Sequence, residues 1–151
     1  MIAALENIFL GEPLAGVSAT LGAPAAVVFH DRHGYQWRQK SGLVITVLTS
    51  SSGEVELVDL TAAPSDQPPG VVDEDSQESG FTLNQSGYAD LDLNAPDTAC
   101  EGGFGAQCRE YHYDGGLELR ADFAPNGSAP GVLREMTLAD DSLLHELHFD
   151  P

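Results

Sequence analysis

The sequence predicts an α+β fold: two tandem helix-plus-antiparallel-meander units that join into one curved sheet with helices on one face. Three observations carry this expectation. The tetrapeptide "LGAP" at 21–24 returns as "LNAP" at 93–96. Further landmarks return around it in the same order, and an internal repeat is a primary sign of how a chain is organised. In the first half, apolar residues at helical spacing give way to stretches with a period of two, the change that separates helix from strand. The expected division is residues 1–62 as a first α/β unit, 63–80 as an acidic, proline-rich linker, and 81–151 as a second unit with a cysteine loop and a C-terminal tail.

In the first unit, Ile8 and Leu10 alternate before Gly11 breaks the pattern. Pro13 suits the first turn of a helix, where its missing N–H would have no partner anyway. Leu14, Val17 and Leu21 then fall on one stripe. Gly22 fits the left-handed position that closes a helix, and Pro24 prevents continuation. "AAVVFH" (25–30) and "YQW" (35–37) flank "DRHG", which reads as a hairpin turn. "GLVITVLT" (42–49) is a continuous apolar, β-branched strand, "SSSG" (50–53) is a turn, and "EVELVDL" (54–60) is another strand. Residues 61–80 hold three prolines and the acidic group Asp73, Glu74, Asp75 and Glu78, with little periodicity, and read as a linker or long loop.

From residue 81 the landmarks recur. "FTLNQSGYADLDLNAP" aligns with "IFLGEPLAGVSATLGAP" with one residue dropped, and "YQW" returns as "YHY" (111–113). "SGLVITV" returns as "GGLELRADF" (115–123), and "GEVELVDL" as "GVLREMTL" (131–138). The second helix is the poorer one, since Gly87, Asp90 and Asn94 weaken its stripe. The strand at 117–123 alternates cleanly: Leu117, Leu119, Ala121 and Phe123 on one face, Glu118, Arg120 and Asp122 on the other. The tail "SLLHELHFD" (142–150) is expected to add an edge strand.

Charge narrows the partners. The chain has 24 acidic residues against six basic ones, a formal −18. Nucleic acid and anionic lipid surfaces attract Lys and Arg and repel such a chain. Basic or neutral proteins, or cations, are the partners its charge favours. No stretch approaches the ~20 apolar residues of a membrane span, so no membrane insertion is expected. Residues 1–10 lack a basic n-region and do not read as a signal peptide. Cys100 and Cys108 close a short glycine-rich loop suited to a disulfide, which favours an oxidising compartment.

The short helical segment ending in "LG.P", the aromatic-x-aromatic strand, the "GL.ITV" strand and the "G.V..V.L" strand resemble the small α/β unit of the BamE/SmpA-like outer-membrane lipoproteins. Two such units in tandem resemble the β-lactamase-inhibitory-protein architecture. The resemblance spans nearly the whole chain outside 61–80. It implies an exported protein, extracellular or periplasmic, that binds other proteins without catalysis. An inhibitor of a secreted or envelope hydrolase is one version of that function.

No pattern of catalytic residues argues for an enzyme. There is no G-x-S-x-G elbow, "EGGFG" (101–105) lacks the basic residue and the following helix of a phosphate loop, and "HELH" (145–148) is one residue short of H-E-x-x-H. His30 and His33 bracket Asp31 in a turn and read as solvated loop residues. No cofactor and no metal site are expected. Weak calcium binding by "DEDSQE" (73–78), a small-ligand role, or a structural part in a cell-envelope assembly are the alternatives. The candidate protein-binding residues are Tyr35, Trp37, Tyr111 and Tyr113, which alternate with Gln36, Arg38, Glu110 and His112. On an open sheet face these rings would be rigid anchors for a partner; packed inward, they would be core.

Overall fold

The computed structural model describes residues 10–38, 43–62, 70–72, 80–82, 97–99, 107–126 and 129–147. Helix α1 (Leu14–Leu21) precedes strands β1 (Ala25–Phe29), β2 (Arg32–Arg38), β3 (Leu43–Thr49) and β4 (Val55–Ala62). Then come β5 (Gly70–Val72), β6 (Gly80–Thr82), β7 (Asp97–Ala99), β8 (Gln107–His112), β9 (Leu117–Asn126) and β10 (Ala129–Asp140), and helix α2 (Asp141–Glu146) closes the described chain. Eight strands form one sheet in the order β1-β2-β3-β4-β10-β9-β8-β7, and every pairing in it is antiparallel. Each half is therefore a four-stranded meander, and the last strand of one pairs with the last strand of the other. β5 and β6 make a separate hairpin that starts in the segment expected to be a linker and ends on the first residues of the expected second unit.

The expected fold class is corrected. The protein is mainly β, and the described α-helices are one of eight residues and one of six. They also lie on opposite faces of the sheet. α1 packs through Val17, with Leu14 and Leu21, on a core of Trp37, Ile45, Val47, Val58, Leu60, Tyr111, Leu119, Phe123, Met136 and Leu138. α2 packs through Leu143 and Leu144, with Leu147 just after it, on Leu48, Leu57 and Ala139. Those two sets alternate along β3, β4 and β10, so they face opposite ways. The physical reason for the correction is length. Two turns of helix cover a small part of an eight-stranded sheet, and the strands' own side chains fill most of the core. The segment 83–96, expected to hold the second helix, lies outside the described residues.

α1 forms where its punctuation says. The residue before it is Pro13, and Gly22 after it has φ +92° and donates its N–H to the Ser18 carbonyl at 2.8 Å. The helix is tied down at both ends. The Gly11 N–H donates to the Val55 carbonyl and the Val55 N–H to the Glu12 carbonyl, both at 2.7 Å, and the Leu14 N–H donates to Gly53 O at 3.0 Å. At the other end Trp37 Nε1 donates to the Gly22 carbonyl at 2.8 Å. One indole thus fills the core and closes the helix.

Two local expectations change. The first hairpin turns on His30 and Asp31 alone, with φ of 49° and 64°, and Arg32 to Gly34 already belong to β2. Right-handed strand twist favours such a two-residue turn with both φ positive. Gly34 is needed in its strand, since a Cβ there would lie 2.9 Å from Leu48 Cδ2 and from the Val47 carbonyl oxygen. The tail forms α2 rather than an edge strand. Leu143, Leu144 and Leu147 have helical spacing, and Asp140 caps the start by accepting from the Ser142 N–H at 3.0 Å.

Trp37→Phe should lower the free energy of unfolding by about 2 kcal/mol, from a lost hydrogen bond and lost packing, and should raise amide exchange across residues 14–22. Asp31→Gly should raise stability by about 0.5–1 kcal/mol by relieving a left-handed non-glycine residue. Denaturant titration reads both changes.

Candidate functional site: the acidic face of the sheet

The residues that alternate with the large core collect on the other face. Register across the strands places Gln36, Thr46, Asp59, Thr137, Arg120 and Glu110 in one transverse row over β2, β3, β4, β10, β9 and β8. The next row carries Glu135 opposite Asp122. On the other side a row runs Leu48, Leu57, Ala139, Glu118, His112. Its apolar end lies under α2, and its polar end reaches β8. Among the described residues, the carboxylates of Asp59, Glu110, Glu118, Asp122 and Glu135 share this face with Arg120 and His112. Hydrogen bonds knit the row: Gln36 Nε2 donates to Thr46 Oγ1 at 3.1 Å, and Thr137 Oγ1 donates to Asp59 Oδ1 at 2.7 Å. Arg120 Nε lies 3.4 Å from Asp122 Oδ1.

Asp59 is the most constrained of these groups. It is 2% exposed at the seam where the two meanders meet. Burial holds its carboxyl well above the usual aspartate range, and the negative charges of Glu135 and Asp122 push the same way, while the bond from Thr137 pulls it back. A carboxyl raised in the folded state stabilises the fold at low pH, where it keeps its proton. That contribution is lost as pH rises through the folded value.

Glu110, His112 and Glu118 converge at the β8 end of this face. Glu110 and His112 are two apart on β8 and so share a face, and Glu118 on β9 stands directly opposite His112. His112 Nε2 lies 3.6 Å from Glu110 Oε2, and Nδ1 lies 3.4 Å from Glu118 Oε1. One ligand atom from each residue lies within 4.8 Å of the others. The connection between the strands is short: a 3-10 turn at Asp114–Gly116, closed by the Tyr113 N–H donating to the Leu117 carbonyl at 2.8 Å.

The residues singled out from sequence fall elsewhere. Trp37 and Tyr111 are buried in the core beneath α1, with Tyr35 and Tyr113 packed against it. The structure thus places all four rings on the face away from the carboxylates, Trp37 and Tyr111 within the core and Tyr35 and Tyr113 half-buried at its margin. Cys108 is disulfide-bonded, and Cys100, the other cysteine of the chain, lies outside the described residues. His30 and His33 are exposed, with His30 Nδ1 3.2 Å from the Leu147 carbonyl oxygen. His145 is exposed on α2, whereas His148 and the acidic stretch 73–78 lie outside the described residues. The convergence of Glu110, His112 and Glu118 was missed because it depends on pairing between strands. Alternation in "REYHY" and "LELRADF" put each residue on a polar face, and register alone brings those faces together. Among the described residues, no helix is long and apolar enough to cross a membrane. No family model, curated protein or solved structure matches the chain.

Replacing Asp59 with Asn keeps an acceptor for Thr137 and removes the buried ionisable group. The variant should be more stable than the parent at pH 7 by of the order of 1–3 kcal/mol. The difference should shrink toward zero as pH falls to the ordinary aspartate range, which denaturant titration at several pH values will measure.

Proposed function

We propose that the protein is a non-catalytic binding module that recognises a basic protein partner through the acidic face of β8, β9 and β10. The observation that carries this reading is the sorting of side chains across the sheet. Large apolar and aromatic residues fill one side, while Glu110, Glu118, Asp122 and Glu135 gather on the other. In a chain of formal charge −18, such a face concentrates negative potential and speeds encounter with a positive surface. The sheet supplies a rigid scaffold, so binding orders little backbone.

Two further points support the reading. The common strand order of β1–β4 and β7–β10 supports treating the halves as copies of one four-stranded meander, with the binding face on the second copy. The motif resemblance to BamE/SmpA-like proteins, which bind other proteins without catalysis, points the same way. The disulfide at Cys108 suits an oxidising compartment, so the partner is sought among exported proteins, secreted or envelope hydrolases included.

The test separates the face from overall charge. A triple variant, Glu110→Gln, Asp122→Asn and Glu135→Gln, is compared with Asp31→Asn, Glu54→Gln and Glu146→Gln, which removes equal charge at exposed sites elsewhere. Affinity for a lysine- and arginine-rich peptide is measured by calorimetry at low and high salt. The face variant should bind about tenfold more weakly than the control set, with a smaller salt dependence. Equal losses in both would remove the assignment.

A further inference from the structure

We propose that Glu110, His112 and Glu118 form a binding site for a divalent transition-metal ion of the zinc type. This inference does not rest on the basic-partner reading and concerns one end of the acidic face only.

Geometry is the first argument. All three residues sit on two hydrogen-bonded strands, with His112 and Glu118 directly opposite and Glu110 two residues from His112. Pleating aims the three side chains the same way. The separation of 3.4 Å between His112 Nδ1 and Glu118 Oε1 matches the edge of a tetrahedron whose metal–ligand bonds are about 2.0–2.2 Å. Glu110 offers the third ligand, since one ligand atom from each of the three residues falls within 4.8 Å of the others, and its carboxylate swings toward the Nδ1 side by rotation of its side chain. The short 3-10 connection at Asp114–Gly116 keeps the two strands in register.

Chemistry selects the ion. One imidazole and two carboxylates make a mixed nitrogen–oxygen set with two formal negative charges, which balances a doubly charged cation. Calcium and magnesium favour all-oxygen shells, whereas imidazole suits zinc and its first-row neighbours. Three protein ligands leave a position for water or an exogenous group, the pattern of open zinc sites.

Burial is the second, independent argument. The Glu118 side chain is 4% exposed, Glu110 14% and His112 42%. The cluster is thus graded from a buried carboxylate at its floor to a half-exposed imidazole at its mouth, so an ion reaches it from solvent. A carboxylate buried to this degree carries a desolvation penalty, and a cation at this position offsets it. In the same row Ala139, which packs under α2, stands directly opposite Glu118.

Zinc titration of the metal-free protein by calorimetry is the test, alongside thermal melting and the nitrogen chemical shifts of the imidazoles. The expected result is one saturable site, a rise in melting temperature, and a zinc-induced shift confined to His112. His112→Ala and Glu118→Gln should each weaken binding at least about tenfold, and His145→Ala should leave it unchanged. Near-UV circular dichroism confirms that each variant is folded, and Glu110→Gln serves if Glu118→Gln is not. Undiminished zinc binding in His112→Ala, displacement of zinc by an equal concentration of calcium, or no saturable binding would each overturn the site. The last outcome would leave the three groups as an ion-pair cluster. The peptide-binding comparison is run without metal, so either reading can fail while the other stands.

Discussion

The pairing of β4 with β10 is the constraint on which the rest depends. Leu57 to Thr61 lie opposite Ala139 to Glu135, antiparallel and in unbroken register. Without this seam each half is a small meander with an exposed edge and an incomplete core, and an unpaired strand edge invites non-native association. With it, Val58 and Leu60 meet Leu138 and Met136 in a single cluster that runs from Trp37 to Phe123. The seam also places Asp59 and Thr137 side by side, both buried, on the second face. The polar row is thus a direct consequence of how the halves join.

A sheet sorts its side chains by parity, and that rule explains both the core and the candidate site. Tyr111 and Leu119 point to the face that α1 covers, and their neighbours Glu110, His112, Glu118 and Arg120 must point the other way. Moving any strand by one residue would exchange the two sets. Core packing therefore determines where the carboxylates gather. The two helices sit where each face needs covering. α1 is held by Trp37 and by backbone bonds to Gly53 and Val55, and α2 covers the apolar end of the second face.

Local features were legible in the sequence wherever the cause was local. The stripe of Leu14, Val17 and Leu21, with Pro13 before it and Gly22 after it, gives α1 with the expected bounds. Alternation in "LELRADF" gives β9 and both of its faces. The tail "SLLHELHFD" forms a helix and not the expected edge strand because Asp140 caps its start and Leu143, Leu144 and Leu147 have helical spacing. The hairpin turn is shorter than "DRHG" because His30 and Asp31 both take left-handed conformations, which lets β2 begin at Arg32. The aromatic residues were ambiguous in principle, since strict alternation does not say which face the core occupies.

By itself the sequence determined the long strands of the sheet, their parity, the first helix and an acidic surface, since each follows from spacing, punctuation or composition within a few residues. The short strands β5, β6 and β7 carry no such local signal. Only the tertiary structure decided that β4 pairs with β10, that Trp37 and Tyr111 belong to the core with Tyr35 and Tyr113 packed against it, and that Glu110, His112 and Glu118 converge. Those outcomes depend on register between strands distant in the chain, as with Asp59 and Thr137, 78 residues apart. Register is set by the fit of whole faces against each other, a property no local stretch of residues carries.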